Sequence, residues 1–396
     1  MSLGGILTGI GLIVVFFIVL FFVRKQRGRA QAKSAGKLSA SSAISKPARR
    51  ASGSAPKEEP DLEYEQEHEQ DSAFLAKALD VLTDSPPVEG SRPMEGMEAN
   101  QRMLHRALLT LKGMDRVGET FSKFQEFNDP FASLEQVANA VSKDVVLSSK
   151  VLRAANSAYF GYTEEVTSVQ HAARILGFNN LRSLYFREHF RMLEPSEGNA
   201  ASRRGLWKHA MLTAVAANHV STAFSKAVPE TAFTLGLLHD IGKFIICQMP
   251  MLEEGHKKIH QVMEWEKVVK ASDDYQTSVD VERGELGIDH CLLGKMAMED
   301  WQLPDLMADV VYNHHAGSYA ASELDEEPLT YVAILQTADF IARAFAHRHV
   351  FGMPPGGGLE PGFLALTGKN RLAKAALDGS LLQDLLNTEA VANMNG

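Results

Sequence analysis

The stretch TAFTLGLLHDIGKFIICQ at residues 231–248 constrains the fold of this chain most strongly. It is an apolar run of helical character, yet it contains His239, Asp240 and Lys243 among Leu, Ile and Phe. Burying an imidazole or a carboxylate without a partner costs on the order of several kcal/mol. The stretch therefore predicts one of two arrangements: a divalent metal held by His239 and Asp240, or ordinary hydrogen-bond partners supplied by other segments.

Composition narrows the class of protein. The chain has 396 residues, which is enough for two or three domains. Its net charge of −9 argues against general nucleic-acid binding, so we expect no nucleic-acid partner. Cys247 and Cys291 are its only cysteines, too few for a disulfide framework, and we expect both thiols to be free in a reducing compartment.

The N-terminus predicts a membrane anchor. Residues 3–23 form a charge-free apolar run of 21 residues, long enough to cross a bilayer as a helix. A cleaved signal peptide is the alternative, but it would need a basic start, and the positive charges follow the run at Arg24, Lys25, Arg27 and Arg29. This asymmetry predicts a single-pass anchor with its N-terminus outside and the following domain in the cytoplasm.

Residues 24–100 have the composition of a linker. Ser, Ala, Pro, Lys and Arg dominate at first, and an acidic block occupies residues 58–71. Few of these side chains can build a core, so the segment is predicted to be a largely disordered tether. A short amphipathic helix is expected near residues 72–82, where the sequence reads SAFLAKALDVL.

From about residue 101 the pattern becomes globular and helical. Ser133 and Gln136 form a capping-box pattern that predicts a helix start. No period-2 run of strand length stands out, so the predicted fold class is all-α. Apolar residues recur at three- and four-residue spacing in four successive segments, namely residues 103–111, 117–127, 134–141 and 145–155.

Three motifs occur in an order that resembles a known family. They are VLRAANSAYFG at residues 151–161, SVQHAARILGFNNLRSL at 168–184 and GLLHDIG at 236–242. Together they resemble the HD-related output domain (HDOD) family, a bacterial signalling relative of the HD phosphohydrolases, over about residues 108–346. The resemblance implies an HD-like helical domain that acts as a regulatory module toward a signalling protein or small ligand. With the anchor, it also implies the bacterial inner membrane.

The resemblance also divides the chain into predicted parts. These are a transmembrane helix (1–23), the tether (24–100), an N-terminal helical part of the HDOD domain (101–200), its HD-like part (201–350) and C-terminal amphipathic helices (351–396).

Polar residues recur in the apolar helices after residue 200, and their order resembles the ligand order of the two-metal HD hydrolases. Imidazoles and carboxylates are ligands for Mn, Fe, Co, Ni or Zn, so the implied cofactor is one or two such ions. A carboxylate next to a histidine can bridge two ions, and Lys243 lies on the same helix face, where it could meet a phosphate. The alternative is a set of hydrogen-bonded core residues. The candidate ligands are His209, His239, Asp240, His290, His314, His315 and Asp339.

Three departures separate the chain from the branch that hydrolyses cyclic-di-GMP. The paired histidines are followed by AGSYAASELDEEP, which lacks the Gly-Tyr-Pro motif of that branch. Gly205 precedes His209 where some of those enzymes place another carboxylate, and the spacing from His239 to His290 is long. The sequence therefore predicts a membrane-anchored regulatory output module. The alternative is a metal-dependent phosphohydrolase in which Asp240 and Lys243 are catalytic.

Overall fold

The computed structural model describes residues 62–84, 90–112, 133–157, 160, 166–189, 200–249, 277–351 and 379–394. Every regular element in these ranges is a helix, which confirms the all-α prediction. In chain order the helices are α1 (Leu62–Asp84), α2 (Gln101–Lys112), α3 (Leu134–Val141), α4 (Val145–Ala155), α5 (Val169–His189), α6 (Ala200–Ser221), α7 (Pro229–Leu238), α8 (Ile241–Gln248), α9 (Thr277–Leu286), α10 (His290–Asp300), α11 (Asp305–Asn313), α12 (Gly317–Glu323), α13 (Glu326–Phe351) and α14 (Gly379–Met394).

Helices α6, α7 and α13 form the centre of the fold, with α6 packed against both of the others. The helix α6 presents small residues such as Ala214 and Ala217, which are fully buried. A Cβ atom on Gly236 of α7 would lie 2.6 Å from the Cα atom of Ala214. The glycine therefore lets the backbones of α6 and α7 approach closely, and this brings the polar residues at their ends together.

The chain turns at His239 and Asp240, so the apolar stretch that opened the sequence is two helices rather than one. His239 caps α7 and Asp240 caps α8. The Nδ1 atom of His239 lies 2.8 Å from the carbonyl oxygen of Gly236, which fixes the imidazole at the end of α7. Both side chains project from the junction rather than from a continuous helix.

Helix α3 begins at the capping box that the sequence predicts. The Ser133 hydroxyl accepts from the Gln136 amide, and the Gln136 side chain accepts from the Ser133 amide, so the capping box is confirmed. Helices α3 and α4 both pack on α5. Within α5 the backbone of Gly177 has a φ of 75°, a left-handed value that glycine adopts readily, and the helix kinks there.

Helix α1 replaces part of the predicted tether. The expected short helix at residues 72–82 is a helix of 23 residues, Leu62–Asp84. Leu75, Ala78 and Leu79 lie three or four residues apart on one face and are buried, and α1 packs against α13. This part of the chain is therefore an element of the domain, because a small apolar face suffices when a partner helix covers it.

Helix α14 packs on α6, and Leu381 and Leu385 are fully buried. It thus docks on the domain. Across the described ranges, no helix combines the length and apolar character that crossing a bilayer demands. The predicted span at residues 3–23 lies outside those ranges.

Candidate metal centre

The seven predicted site residues come from five segments of the fold and lie close together. His209 comes from α6, His239 and Asp240 from the α7–α8 junction, His290 from the start of α10, His314 and His315 from the end of α11, and Asp339 from α13. Four of them have a ring nitrogen within 4 Å of an Asp240 carboxylate oxygen, namely His209, His239, His290 and His314. A fifth, Asp339, lies 3.0 Å from His209. Side chains separated by up to 105 positions in sequence thus meet at one carboxylate, and Asp339 joins them through His209.

Asp240 stands at the middle of this cluster, and its two oxygens face different sides. Its Oδ2 atom lies 2.9 Å from Lys243 Nζ, 3.4 Å from His239 Nε2 and 3.6 Å from His209 Nε2. Its Oδ1 atom lies 3.4 Å from His290 Nε2 and 3.8 Å from His314 Nε2. The carboxylate therefore divides the cluster into two halves and belongs to both.

The first half contains His209, His239 and Asp339. The Nε2 atom of His209 lies 3.3 Å from Nε2 of His239 and 3.0 Å from Oδ1 of Asp339. The other oxygen of Asp339 lies 2.8 Å from Arg343 Nη2, one helical turn further along α13. This half presents nitrogen and oxygen donors, and the guanidinium holds the carboxylate in place.

The second half contains His290, His314 and His315. The Nε2 atoms of His290 and His314 are 3.3 Å apart. The His315 ring lies with its centroid 4.1 Å from that of His314 and 5.2 Å from that of His290. Cys291, which the sequence analysis treated only as a free thiol, adds its Sγ atom 3.6 Å from His290 Nε2.

Hydrogen bonds at the Nδ1 atoms of three imidazoles fix the tautomers of these rings. Nδ1 of His239 faces the Gly236 carbonyl, and Nδ1 of His314 lies 2.6 Å from the Val311 carbonyl. A carbonyl only accepts, so Nδ1 carries the proton and, in the neutral ring, Nε2 presents its lone pair to the cluster. Nδ1 of His290 is held in the same way, 2.7 Å from the Glu282 carboxylate. Such partners orient the histidine ligands of protein metal sites.

Protonation in the cluster suits a metal at three residues. Burial is the main reason that the pKa of His314 is lowered to about 4, so this ring is neutral at neutral pH. Burial alone would raise the pKa of Asp240, but the charges of His239 and Lys243 outweigh it and hold that pKa well below its usual value. Burial is likewise outweighed at Asp339, where Arg343 and His209 keep the pKa well below its usual value. These three residues bind a divalent ion without first losing a proton. His239 differs: burial alone would lower the pKa of its ring, but the charge of Asp240 outweighs burial and raises that pKa, so a protonated ring has to lose a proton when a metal binds.

The residues present fit a divalent metal. The Asp240 Oδ1 atom is buried and has no hydrogen-bond partner among the described residues, although a buried carboxylate oxygen normally accepts one. It faces imidazole nitrogens that already donate elsewhere and offer only lone pairs. Lone pairs that face one another repel unless a proton or a cation lies between them. Imidazole and carboxylate donors suit the first-row ions from Mn to Zn.

Two contributors to the cluster were not among the predicted residues. Glu282 accepts from both the backbone amide and the imidazole of His290, and the side chain of Gln336 donates to the carbonyl of His314 at 3.0 Å. Glu282 lies on α9 within TSVDVERGEL, where polar residues outnumber apolar ones, so its burial leaves no signal in the sequence. Gln336 stands in the apolar run YVAILQTADF, and a search for buried polar residues could have found it.

An irregular stretch, residues 90–100, lies against the loops that carry the second half of the centre. The Ser91 amide donates to the His315 carbonyl at 2.7 Å, and the Tyr312 hydroxyl donates to the Met94 carbonyl at 2.8 Å. Further along, the Asn100 amide donates to the Gly287 carbonyl. The end of the predicted tether is therefore attached to the domain beside its paired histidines.

The fold and the cluster together define a helical HD-type domain with a histidine–aspartate centre. The family model described as "HDOD domain" matches residues 119–317, half of the chain, and the protein therefore belongs to the HDOD family. The matched range lies inside the predicted 108–346 and contains six of the seven candidate ligands. Asp339 falls beyond it, on α13.

Relatives of this chain are distant. An uncharacterized protein of Treponema pallidum (strain Nichols) is 22% identical over 197 residues, which are 49% of this chain but only 36% of that protein. The crystal structure of an HDOD domain protein with unknown function from Geobacter sulfurreducens has a TM-score of 0.47 at 19% identity, covering 81% of this chain and 98% of that one. A protein from Shewanella amazonensis SB2B, whose name gives phosphohydrolase as a candidate activity, has a TM-score of 0.46 at 20% identity, covering 74% and 98%.

Proposed function

We propose that this chain is a signalling protein whose HDOD domain binds one or two divalent first-row metal ions in the histidine–aspartate centre and acts as a regulatory output module. His209, His239, Asp339 and one oxygen of Asp240 would hold an ion in the first half. His290, His314, His315 and the other oxygen of Asp240 would hold an ion in the second half. A bound ion supplies a positive charge that ties the five contributing segments together.

One observation carries the proposal: the Oδ1 atom of Asp240 is buried, has no hydrogen-bond partner among the described residues, and faces the Nε2 atoms of His290 and His314. A plain hydrogen-bonded core would satisfy this oxygen with a donor, since leaving a charged oxygen without one is costly. The two nearest imidazoles donate their Nδ1 protons elsewhere, so a cation is the group that completes the arrangement.

The position of Lys243 favours a regulatory module over an enzyme. Its ammonium lies 2.9 Å from Asp240 Oδ2 and the side chain is 4% exposed. A lysine that binds a substrate phosphate has to present its charge to an open site, whereas this one is turned inward onto the carboxylate. The lack of a Gly-Tyr-Pro motif after His315 supports the same conclusion.

A metal-dependent phosphohydrolase is the second candidate, because a single carboxylate with one oxygen toward each half is the arrangement that pairs two ions. Two ions in such a pair would supply Lewis acidity to a phosphoryl group. In that case Asp240 holds both ions, and Lys243 exchanges its contact with Asp240 for a contact with the substrate phosphate.

The metal content of the full-length chain, purified in detergent, tests the proposal. We expect stoichiometric Mn, Fe, Co, Ni or Zn in the wild-type protein and in His105→Ala, which changes an exposed histidine on α2. We expect the metal to be lost in Asp240→Ala. A folded wild-type protein that retains no divalent ion after incubation with each of them would contradict the proposal.

Turnover of a generic phosphodiester by the same samples separates the two candidates. For a regulatory module we expect the metal-loaded chain to be no faster than the metal-free chain. Metal-dependent turnover that disappears in Lys243→Ala would instead establish the phosphohydrolase.

We further propose that residues 3–23 anchor the chain in the bacterial inner membrane and that the domain faces the cytoplasm, where it binds a signalling protein or small ligand. The positive charges after the apolar run support this orientation. Protease treatment of intact and lysed spheroplasts tests it: the domain should be cleaved only after lysis.

A further inference from the structure

We propose that Cys291 is a ligand in the second half of the centre, so that this half is a nitrogen–sulfur site that prefers zinc-like ions, whereas the first half is a nitrogen–oxygen site. The inference rests on the proposed metal binding and deepens it by assigning a donor and a class of ion to each half.

The position of the Cys291 side chain supports this role. It is buried, and its Sγ atom lies 3.6 Å from His290 Nε2 and 3.9 Å from the Nδ1 atom of His314. A buried cysteine that only fills space would be expected to contact apolar side chains. Here the sulfur contacts two imidazoles, and one ligand atom each from His290, Cys291, His314 and His315 lie within 4.8 Å of one another.

The distances between donors match those of a four-coordinate ion. Zinc, with Zn–N of about 2.0–2.1 Å and Zn–S of about 2.3 Å, sets about 3.3 Å between two nitrogens and about 3.6 Å between nitrogen and sulfur. The Nε2 atoms of His290 and His314 are 3.3 Å apart, and Cys291 Sγ is 3.6 Å from His290 Nε2. These two distances match the edges of a tetrahedron of that size.

A second observation points to the same place independently of the cysteine. The buried Oδ1 atom of Asp240, which has no hydrogen-bond partner among the described residues, lies 3.4 Å from His290 Nε2. An ion among His290, His314 and Cys291 would give this oxygen its missing partner. Asp240 itself is 2% exposed, so water does not readily supply one.

The first half has no sulfur among its described donors. His209 and His239 meet the other oxygen of Asp240, and Asp339 contacts His209. This set suits harder ions such as Mn²⁺ as well as Zn²⁺. A thiolate favours softer ions, so the two halves differ in preference even though they share one carboxylate. Binding at the second half releases the thiol proton to solvent and forms a sulfur–metal bond without any change of oxidation state.

Cobalt substitution of the full-length chain tests this assignment. A thiolate bound to Co²⁺ gives an intense charge-transfer absorption in the near-ultraviolet, which imidazole and carboxylate ligands do not give. We expect this absorption in the wild-type protein and in Cys247→Ser, the matched control at the only other cysteine of the chain. We expect its loss in Cys291→Ser and Cys291→Ala, together with Zn²⁺ binding about tenfold weaker or more.

The possible outcomes distinguish this inference from the proposed function. Visible d–d bands of bound cobalt without the near-ultraviolet band in the wild-type protein would overturn the assignment of Cys291 and leave metal binding intact. A near-ultraviolet band that survives in both Cys291 variants would also overturn it. If the wild-type protein binds neither cobalt nor zinc, the assignment of Cys291 is overturned, and if it also binds none of Mn, Fe and Ni, the proposed function itself fails.

Discussion

Asp240 is a carboxylate in an apolar surrounding, and its neighbours decide whether such a charge is tolerated. Lys243 balances it on one side at 2.9 Å, and imidazoles line the other side. Burial alone would lower the pKa of Lys243, because it disfavours the charged ammonium. Nearby carboxylates, Asp240 first among them, outweigh burial and raise the pKa of Lys243 above its ordinary value. The two residues therefore depend on each other, and removal of either takes away the main charge that offsets the burial of the other.

Replacement of Asp240 by asparagine tests this dependence without a change of shape. With metal removed by a chelator, we expect Asp240→Asn to lower the free energy of unfolding by about 3–5 kcal/mol, because the buried Lys243 cation loses the carboxylate that contributes most to its charge balance. Urea denaturation measures this change. The double variant Asp240→Asn/Lys243→Met should recover a large part of the loss. The coupling would be contradicted by a single variant whose free energy of unfolding lies within about 1 kcal/mol of wild type, at about the same urea midpoint. A double variant less stable than the single variant would also contradict it.

At this scale the sequence predicted which residues come together but not how they pair. Polar side chains such as His239 and Asp339 stand out because their helical neighbours are apolar. Glu282 does not stand out, because α9 is mostly polar and the burial of Glu282 depends on the packing of α10. The two oxygens of Asp240 face different sides because the chain turns between α7 and α8. The apolar pattern of this stretch predicted helical character and did not show the turn.

Close contact between helices sets the size of the centre. A Cβ atom on Gly242 of α8 would lie 2.0 Å from the carbonyl oxygen of His290. A Cβ atom on Gly294 of α10 would lie 2.6 Å from Val311 Cγ1 of α11. The first glycine thus lets the backbones of α8 and α10 touch, and the second makes room for a Val311 methyl between α10 and α11, which brings His290 and His314 to Asp240.

Gly242→Ala is therefore expected to push α10 away from α8. We expect a loss of stability of about 1–3 kcal/mol, as for overpacked cores, together with weaker metal binding, because the distance from Asp240 to His290 increases. Gly205→Ala is the matched control: a Cβ atom there meets nothing within 4 Å, and alanine in a helix should stabilise by up to about 1 kcal/mol. Urea denaturation and cobalt titration measure the two effects. Equal behaviour of the two variants would show that the close approach is not required.

Helix α1 shows why composition misled at the scale of the element. The acidic block before it has the composition of a solvated linker, and only a few apolar residues follow. Leu75, Ala78 and Leu79 nevertheless suffice, because α13 provides the complementary surface. Helix periodicity was visible in residues 72–82, but the stabilising partner lies more than 240 positions away in sequence.

At the scale of the whole molecule, ion pairs connect the ends of the described chain to the helices of the centre. Arg348 of α13 pairs with Asp71 of α1 at 2.9 Å and with Glu389 of α14 at 2.7 Å. Glu389 also pairs with Lys208, the residue before His209 on α6. The paired residues are up to 277 positions apart in sequence, so no local pattern predicts them. The network holds α1 and α14 against the two helices that supply His209 and Asp339.

Glu389 makes the stability of this assembly dependent on pH. Burial alone would raise its pKa, but hydrogen bonds from Arg348 and Lys208 outweigh burial and lower the pKa below the ordinary value of 4.5. A lowered pKa means that the native state favours the ionised form, so the stabilisation is complete well above pH 4.5 and is lost as pH falls through the lowered value. We expect Glu389→Gln to be less stable than wild type by about 2 kcal/mol near neutral pH, with the difference shrinking on acidification below the ordinary carboxyl pKa. Urea denaturation of metal-free protein at a series of pH values measures it, and Glu323→Gln, at an exposed position of α12, is the control. A difference that stays constant or grows as pH falls would show that Glu389 stabilises the fold by packing rather than by its charge.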